Sequence, residues 1–414
     1  AACAAVNYEK SGDLYHAAAA HGYIGDLLRE RGDFEEAKES FVKFKYLATK
    51  WGDRNLVQIA ELADAWVSLD IGDLPHAARL ITEVEKTMGG APSRRLKRYL
   101  AAAQITLEAG RGKHREVCEG MSRVVEMWTS AGQQNIADIL RAQWVRSLVV
   151  IGKVDKAQEI ADSAMARLDP KTSGPKVAVF KRESALIKLR QGQTNEALEE
   201  LSSARALFNE GGNRREEVLT LHRLSHAALD LGDLELAAKH SEQVLNLANE
   251  IKHERAIALA HELQARLALY FYQTEEAAEY AKKSMQGLRK LGDDLGTLHV
   301  SELLLRALIA SGDLGGAIKF GPKIGAHAER LGIRELRIRA IVLTGVALYR
   351  RGNYEAAARC FREVPLGVVA PITGAFMWRL GEAIENWRQN HKRRELSHTN
   401  WVLELKRMPK CQQP

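Results

Sequence analysis

Cysteine is scarce. Four are scattered through 414 residues (Cys3, Cys118, Cys360 and Cys411), and none forms a C-x-x-C pair. Such spacing excludes a disulfide scaffold and a zinc ribbon, and it points to a reducing, cytoplasmic compartment. Proline is nearly as rare at 9, and aromatics make up 6% against a hydrophobic fraction of 46%. That balance excludes collagen, long disorder and a proline-rich linker. No stretch nears the ~18 uncharged apolar residues of a membrane span. The longest suspicious run, Ser147–Ile151, is far too short, so no membrane partner is expected. Catalytic signatures are missing too. There is no G-x-x-x-x-G-K-[ST], since Gly110 to Lys113 fails the spacing, and no G-x-S-x-G or H-E-x-x-H. No strand pattern is convincing anywhere, which removes most enzyme folds. The expectation is a chain that is not an enzyme and needs no cofactor.

What the sequence has is a repeat. At a 40-residue step it reads Gly32, Gly72, Gly112, Gly152, Gly192, Gly232, Tyr272, Gly312 and Gly352, so eight of nine positions are glycine. Five residues further on stand Ala37, Ala77, Val117, Ala157, Ala197, Ala237, Ala277, Ala317 and Ala357. A weaker series lies halfway between: Gly52, Gly132, Gly212, Gly292 and Gly332, with Pro92, Thr172 and Lys252 in the gaps. Within a unit, Val218, Leu221, Leu224, Ala228 and Leu231 follow three- and four-residue spacing, which predicts helices. Each unit therefore holds two helices. Glycine supplies the positive φ that ends the first. The Asp or Asn after it caps the second, with Asp33 and Glu36 at capping-box spacing. The small residue five places on lets the two helices of a pair approach closely. Val117 and Tyr272 depart from the pattern, so the third and seventh repeats are predicted to be the least regular.

These residues carry a family resemblance. Gly32-Asp33-Phe34 with Ala37, Phe41 and Phe44, and Gly352-Asn353-Tyr354 with Ala357, resemble the tetratricopeptide repeat. The longer, 40-residue form is similar to the sensor regions of bacterial STAND-type ATPases and LuxR-type regulators. The resemblance implies an all-α, right-handed superhelical solenoid. Residues 1–13 read as the remnant of a preceding repeat helix, 14–369 as nine repeats, 370–390 as a capping helix and 391–414 as a basic tail. Because the chain opens at Ala1 on that remnant, it reads as part of something longer, with an effector domain upstream.

The resemblance also places a recognition groove. The first helix of each unit would line the concave side, with residues ten and six before the turn glycine pointing inward. That set contains Trp66, Arg146, Arg182, His222, His226, Glu262, Arg266, Glu302 and Arg306. It implies an extended or acidic protein or peptide segment, its carboxylates held by the arginines. The bland reading is that Glu262–Arg266 and Glu302–Arg306 are simple i,i+4 pairs. Two alternatives remain. Formal net charge is +7, and the tail contributes six basic residues against two acidic, so nucleic acid is a second candidate partner. His222, His226 and Glu262 could hold a metal, but a metalloprotease helix would set its glutamate between the histidines, so no metal is expected. His114 and Cys118, one helical turn apart, are too few ligands for zinc.

Overall fold

A computed structural model describes residues 2–169 and 174–364, and among them every regular element is a helix. Helix α1 (Ala2–Ser11) precedes nine pairs. The first four are α2 (Leu14–Arg31) with α3 (Phe34–Trp51), α4 (Arg54–Ile71) with α5 (Leu74–Thr87), α6 (Arg94–Gly110) with α7 (His114–Thr129), and α8 (Gln134–Val150) with α9 (Val154–Met165). Next come α10 (Gly174–Arg190) with α11 (Thr194–Glu210), α12 (Arg214–Leu231) with α13 (Leu234–Glu250), and α14 (Glu254–Tyr270) with α15 (Thr274–Lys290). The last are α16 (Asp294–Ala310) with α17 (Leu314–Arg330), and α18 (Arg334–Arg350) with α19 (Tyr354–Arg362). The fold is an all-α solenoid of helix–turn–helix repeats. The capping helix expected at 370–390 and the basic tail at 391–414 lie outside the described residues.

The register falls where the glycines put it. All eight turn glycines have positive φ, from 78° at Gly192 and Gly232 to 93° at Gly72. All nine residues five places beyond these glycines and Tyr272, Val117 included, are fully buried, so the site tolerates one branched chain without losing its packing. Asp13, Asp53, Asp73, Asn213, Asp233, Asp313 and Asn353 accept from a backbone N–H three residues on, as N-caps should. Asp33 does not. Its carboxylate lies 3.3 Å from Arg31 and makes no cap bond, so the capping box read from the sequence is not formed.

The irregular repeats are not the expected ones. The third and seventh keep helices of 16 or 17 residues, because Val117 is simply buried and Tyr272 itself adopts the left-handed turn at φ 59°. Besides α19, 9 residues, at the end of the described residues, shortening occurs in α5, 14 residues, and α9, 12 residues. Both precede a gap in the weaker glycine series, at Pro92 and Thr172. Without a residue suited to positive φ at the usual place, the second helix stops early.

Contacts divide the described residues into two compact units: those up to 267 with 283–295, and 268–282 with 296–364. In the first unit, helices two apart in sequence meet as α2–α4, α4–α6, α6–α8, α8–α10 and α10–α12, so the first helices of the pairs form one continuous row. This unit also closes on itself. Helix α2 packs on α12, the Leu74 N–H donates to the Leu291 carbonyl at 3.0 Å, and Phe34 sits edge-on to His253 at 5.7 Å. The second unit has its own core around Leu298, Leu305, Ile324, Leu343 and Phe361.

Candidate recognition site on the inner helix row

The row of first helices in the first unit carries an unusual load of buried charge. On α8 and α10, Arg146 donates to Glu183 at 2.5 Å, and Arg182 donates to the same carboxylate at 3.2 Å and to Glu216. Glu183 is fully buried. Burial alone would raise its pKa, but Arg146 and Arg182 overcome that and hold it below the ordinary carboxylate range. On α12, Arg215 pairs with both Glu216 and Asp70, and Asp70 also accepts from Arg29 on α2. A chain of ion pairs thus runs from α8 through α12 to the start of the unit.

Arg223 breaks the pairing. It lies on α12, half-buried, and makes no ion pair among the described residues. Its surroundings are mainly of its own sign: Arg146, Arg182 and Arg255, against Glu183. Burial, then repulsion from Arg146, brings its pKa down to about 10. An arginine so placed costs stability, since Glu183, the one opposite charge acting on it, is already shared by Arg146 and Arg182.

Beside it, His222 and His226 sit one turn apart on α12 and converge on Glu262 of α14, which occupies the place of His222 one repeat later. The Nε2 atoms of His222 and His226 lie 3.3 and 3.0 Å from Glu262 Oε2, and 3.3 Å from each other. His222 and Glu262 are buried, whereas the His226 side chain is 24% exposed. Burial holds the His222 imidazole down to about 3. Burial would raise Glu262, but Arg266 and the two histidines hold it well below the usual range.

The residues expected in the groove therefore fall into three groups. Arg146, Arg182, His222, His226, Glu262 and Arg266 are brought together on successive first helices. Trp66 stands apart on α4, partly buried in the core with the Arg29 guanidinium 5.9 Å over its ring. Glu302 and Arg306 belong to the second unit, where they form an i,i+4 pair at 2.6 Å with Arg339 3.9 Å from the same glutamate. Arg266 likewise bonds Glu262 four residues before it. The i,i+4 reading describes both pairs. Sequence reasoning missed Arg223, which stands nine residues before its turn glycine, between the two inward positions considered. A usable signal existed: one repeat earlier the same place is Glu183, a charge reversal on the row of first helices.

Residues 219–251, from mid-α12 to just past the end of α13, match the family model of the tetratricopeptide repeat. That stretch is one tetratricopeptide repeat. No curated protein matches the sequence. Among solved structures, a Rap protein complexed with competence and sporulation factor is 13% identical with a TM-score of 0.49, over 85% of this chain and 99% of that one. NprR in complex with its cognate peptide NprX is 13% identical at 0.49, over 70% and 84%. A STAND protein with a tetratricopeptide repeat sensor, from Pyrococcus horikoshii, is 13% identical at 0.46, and 88% of this chain covers 54% of it. Likeness at this level carries no inference about ligand or site.

Proposed function

We propose that this chain is a recognition solenoid without catalysis of its own, binding an extended acidic protein segment along the inner helix row of its first unit. The observation that carries the reading is Arg223. A cation kept half-buried among other arginines, with no ion pair of its own among the described residues and only the already shared Glu183 of opposite sign near it, is what a site for an incoming carboxylate looks like before the ligand arrives. Arg146, Arg182 and Arg266 already hold Glu183, Glu216 and Glu262, so they frame the site rather than bind the segment directly. Trp66 supplies an apolar contact further along the row. The same glutamates argue against nucleic acid, since a phosphate backbone running along the row would meet buried carboxylates. A cytoplasmic setting agrees with Cys3, Cys118 and Cys360 being free thiols. A larger signalling protein, with an effector upstream and this chain as its sensor or scaffold arm, is the setting we propose.

Display selection from a random peptide library tests this. Acidic sequences should be enriched, and Arg223→Gln should weaken the selected peptides about 10- to 100-fold, the scale of one charge-assisted hydrogen bond. The folded chain should not lose stability, because the substitution removes like-charge repulsion. Peptides indifferent to Arg223, or no acidic enrichment, would overturn the reading. Binding of single-stranded oligonucleotides with a steep salt dependence would favour the nucleic-acid alternative instead.

A further inference from the structure

We propose that His222, His226 and Glu262 form a Zn²⁺ site on the inner row, with three protein ligands and one open position. The argument is geometric. Ligands about 2.0–2.1 Å from a tetrahedral zinc stand about 3.3 Å from one another. The three candidate atoms, His222 Nε2, His226 Nε2 and Glu262 Oε2, are separated by 3.3, 3.0 and 3.3 Å. They form a triangle of the size a zinc ion spans, and among the described residues this is the one group of three or more such ligands within reach of a common ion.

The repeat explains how the triangle arises. His222 and Glu262 hold the same place in consecutive units, and His226 is one helical turn from His222, so α12 offers two ligands and α14 the third. Glu262 is prepared for the part: its Oε1 accepts from Arg266 Nε, which fixes the carboxylate and leaves Oε2 turned to the imidazoles. The ligand type suits zinc, since two imidazoles and one carboxylate with a vacant fourth position is a set zinc takes in open sites. His226 is the partly exposed member, so the ion has a path in.

The charge count says what the fourth position takes. One carboxylate leaves a bound Zn²⁺ with a net +1, beside Arg223 and Arg266. In such surroundings the open position favours an anion: hydroxide from water, or a carboxylate of a bound segment. The site does not depend on the peptide reading above, because its ligands and their spacing belong to the chain alone. The zinc-free alternative has both imidazoles donating an Nε2–H to Glu262 Oε2, a purely structural cluster.

The experiment is metal retention by the whole chain. After loading with Zn²⁺ and dialysis, the wild type should keep one equivalent, and His226→Ala should keep none. Since His226 is partly exposed and Arg266 and His222 still hold Glu262, its replacement should leave helicity unchanged and metal-free unfolding only slightly easier, so that loss of metal does not report loss of fold. His222→Ala should lose the metal too, whereas His253→Ala, at a buried histidine outside the cluster, should retain it. Co²⁺ in place of zinc should give the intense visible bands of a tetrahedral centre, absent in His226→Ala. Added Zn²⁺ should raise the melting temperature of the wild type only. A wild type that keeps no zinc, or a His226→Ala chain that keeps as much, would show the cluster to be only hydrogen-bonded.

Discussion

Tyr272 and Gly232 are the same position in two repeats, and they separate what conformation costs from what contact costs. Both stand in the left-handed region, at φ 59° and 78°. A Cβ added at Gly232 would meet nothing within 4 Å, so any penalty there is conformational. Gly232→Val is expected to cost about 1 kcal/mol or more, because a β-branched residue strongly resists positive φ. The Tyr272 side chain is 78% exposed and packs little. Tyr272→Gly should therefore be neutral or stabilise by up to about 1 kcal/mol. Urea unfolding of both variants checks the pair. A loss of well over 1 kcal/mol in Tyr272→Gly would show that the ring packs after all. Elsewhere space matters as well: a Cβ at Gly72 would come within 2.7 Å of Arg255 Cδ, so the same substitution there would strain both the backbone and the closure of the first unit.

Helices are the scale at which the sequence was most legible. Glycine phase, alternate caps and three–four spacing are local signals, and they located nine pairs because each pair is decided by its own forty residues. Errors arose where a neighbour decides. The third and seventh repeats kept full-length helices, while α5 and α9 stopped early beside Pro92 and Thr172. Helix α17 shows the opposite tolerance. Pro322 lies inside it, yet it runs its full 17 residues from Leu314 to Arg330. Proline there removes one intrahelical hydrogen bond and crowds the preceding turn, at about 3 kcal/mol in an ordinary helix interior. Pro322 is exposed, so alanine would disturb no core contact. Pro322→Ala is thus expected to stabilise the second unit by about 1–3 kcal/mol, measured by thermal unfolding. No change would mean that α17 already bends to accommodate the ring at little cost.

In the first unit as a whole, long-range electrostatics do what no local pattern could reveal. Arg29, Asp70 and Arg215 come from α2, α4 and α12, and nothing in their sequence spacing announces that they meet. The site was partly legible for the same reason that the closure was not. His222, His226 and Glu262 follow the repeat register and could be read from it. Arg223 is defined by its lack of a partner, which only the packed row displays. Asp70 is the keystone of the closure, since it accepts from both arginines and its side chain is 13% exposed. Asp70→Asn would keep the shape but leave two largely buried guanidinium groups without their shared carboxylate. Loss of one partner from a buried ionic group typically costs about 3–5 kcal/mol. Glu216 still answers Arg215, so the lower end, about 3 kcal/mol, is the expected loss in urea unfolding. Hydrogen exchange should locate it, with protection falling at the α2–α12 contact and around Leu74 and Leu291 while the second unit is unchanged. If Asp70→Asn unfolds like the wild type, the closure is held by its apolar and backbone contacts, Ile251 against Gly32 and Leu74 to Leu291, and the ion pairs only decorate it.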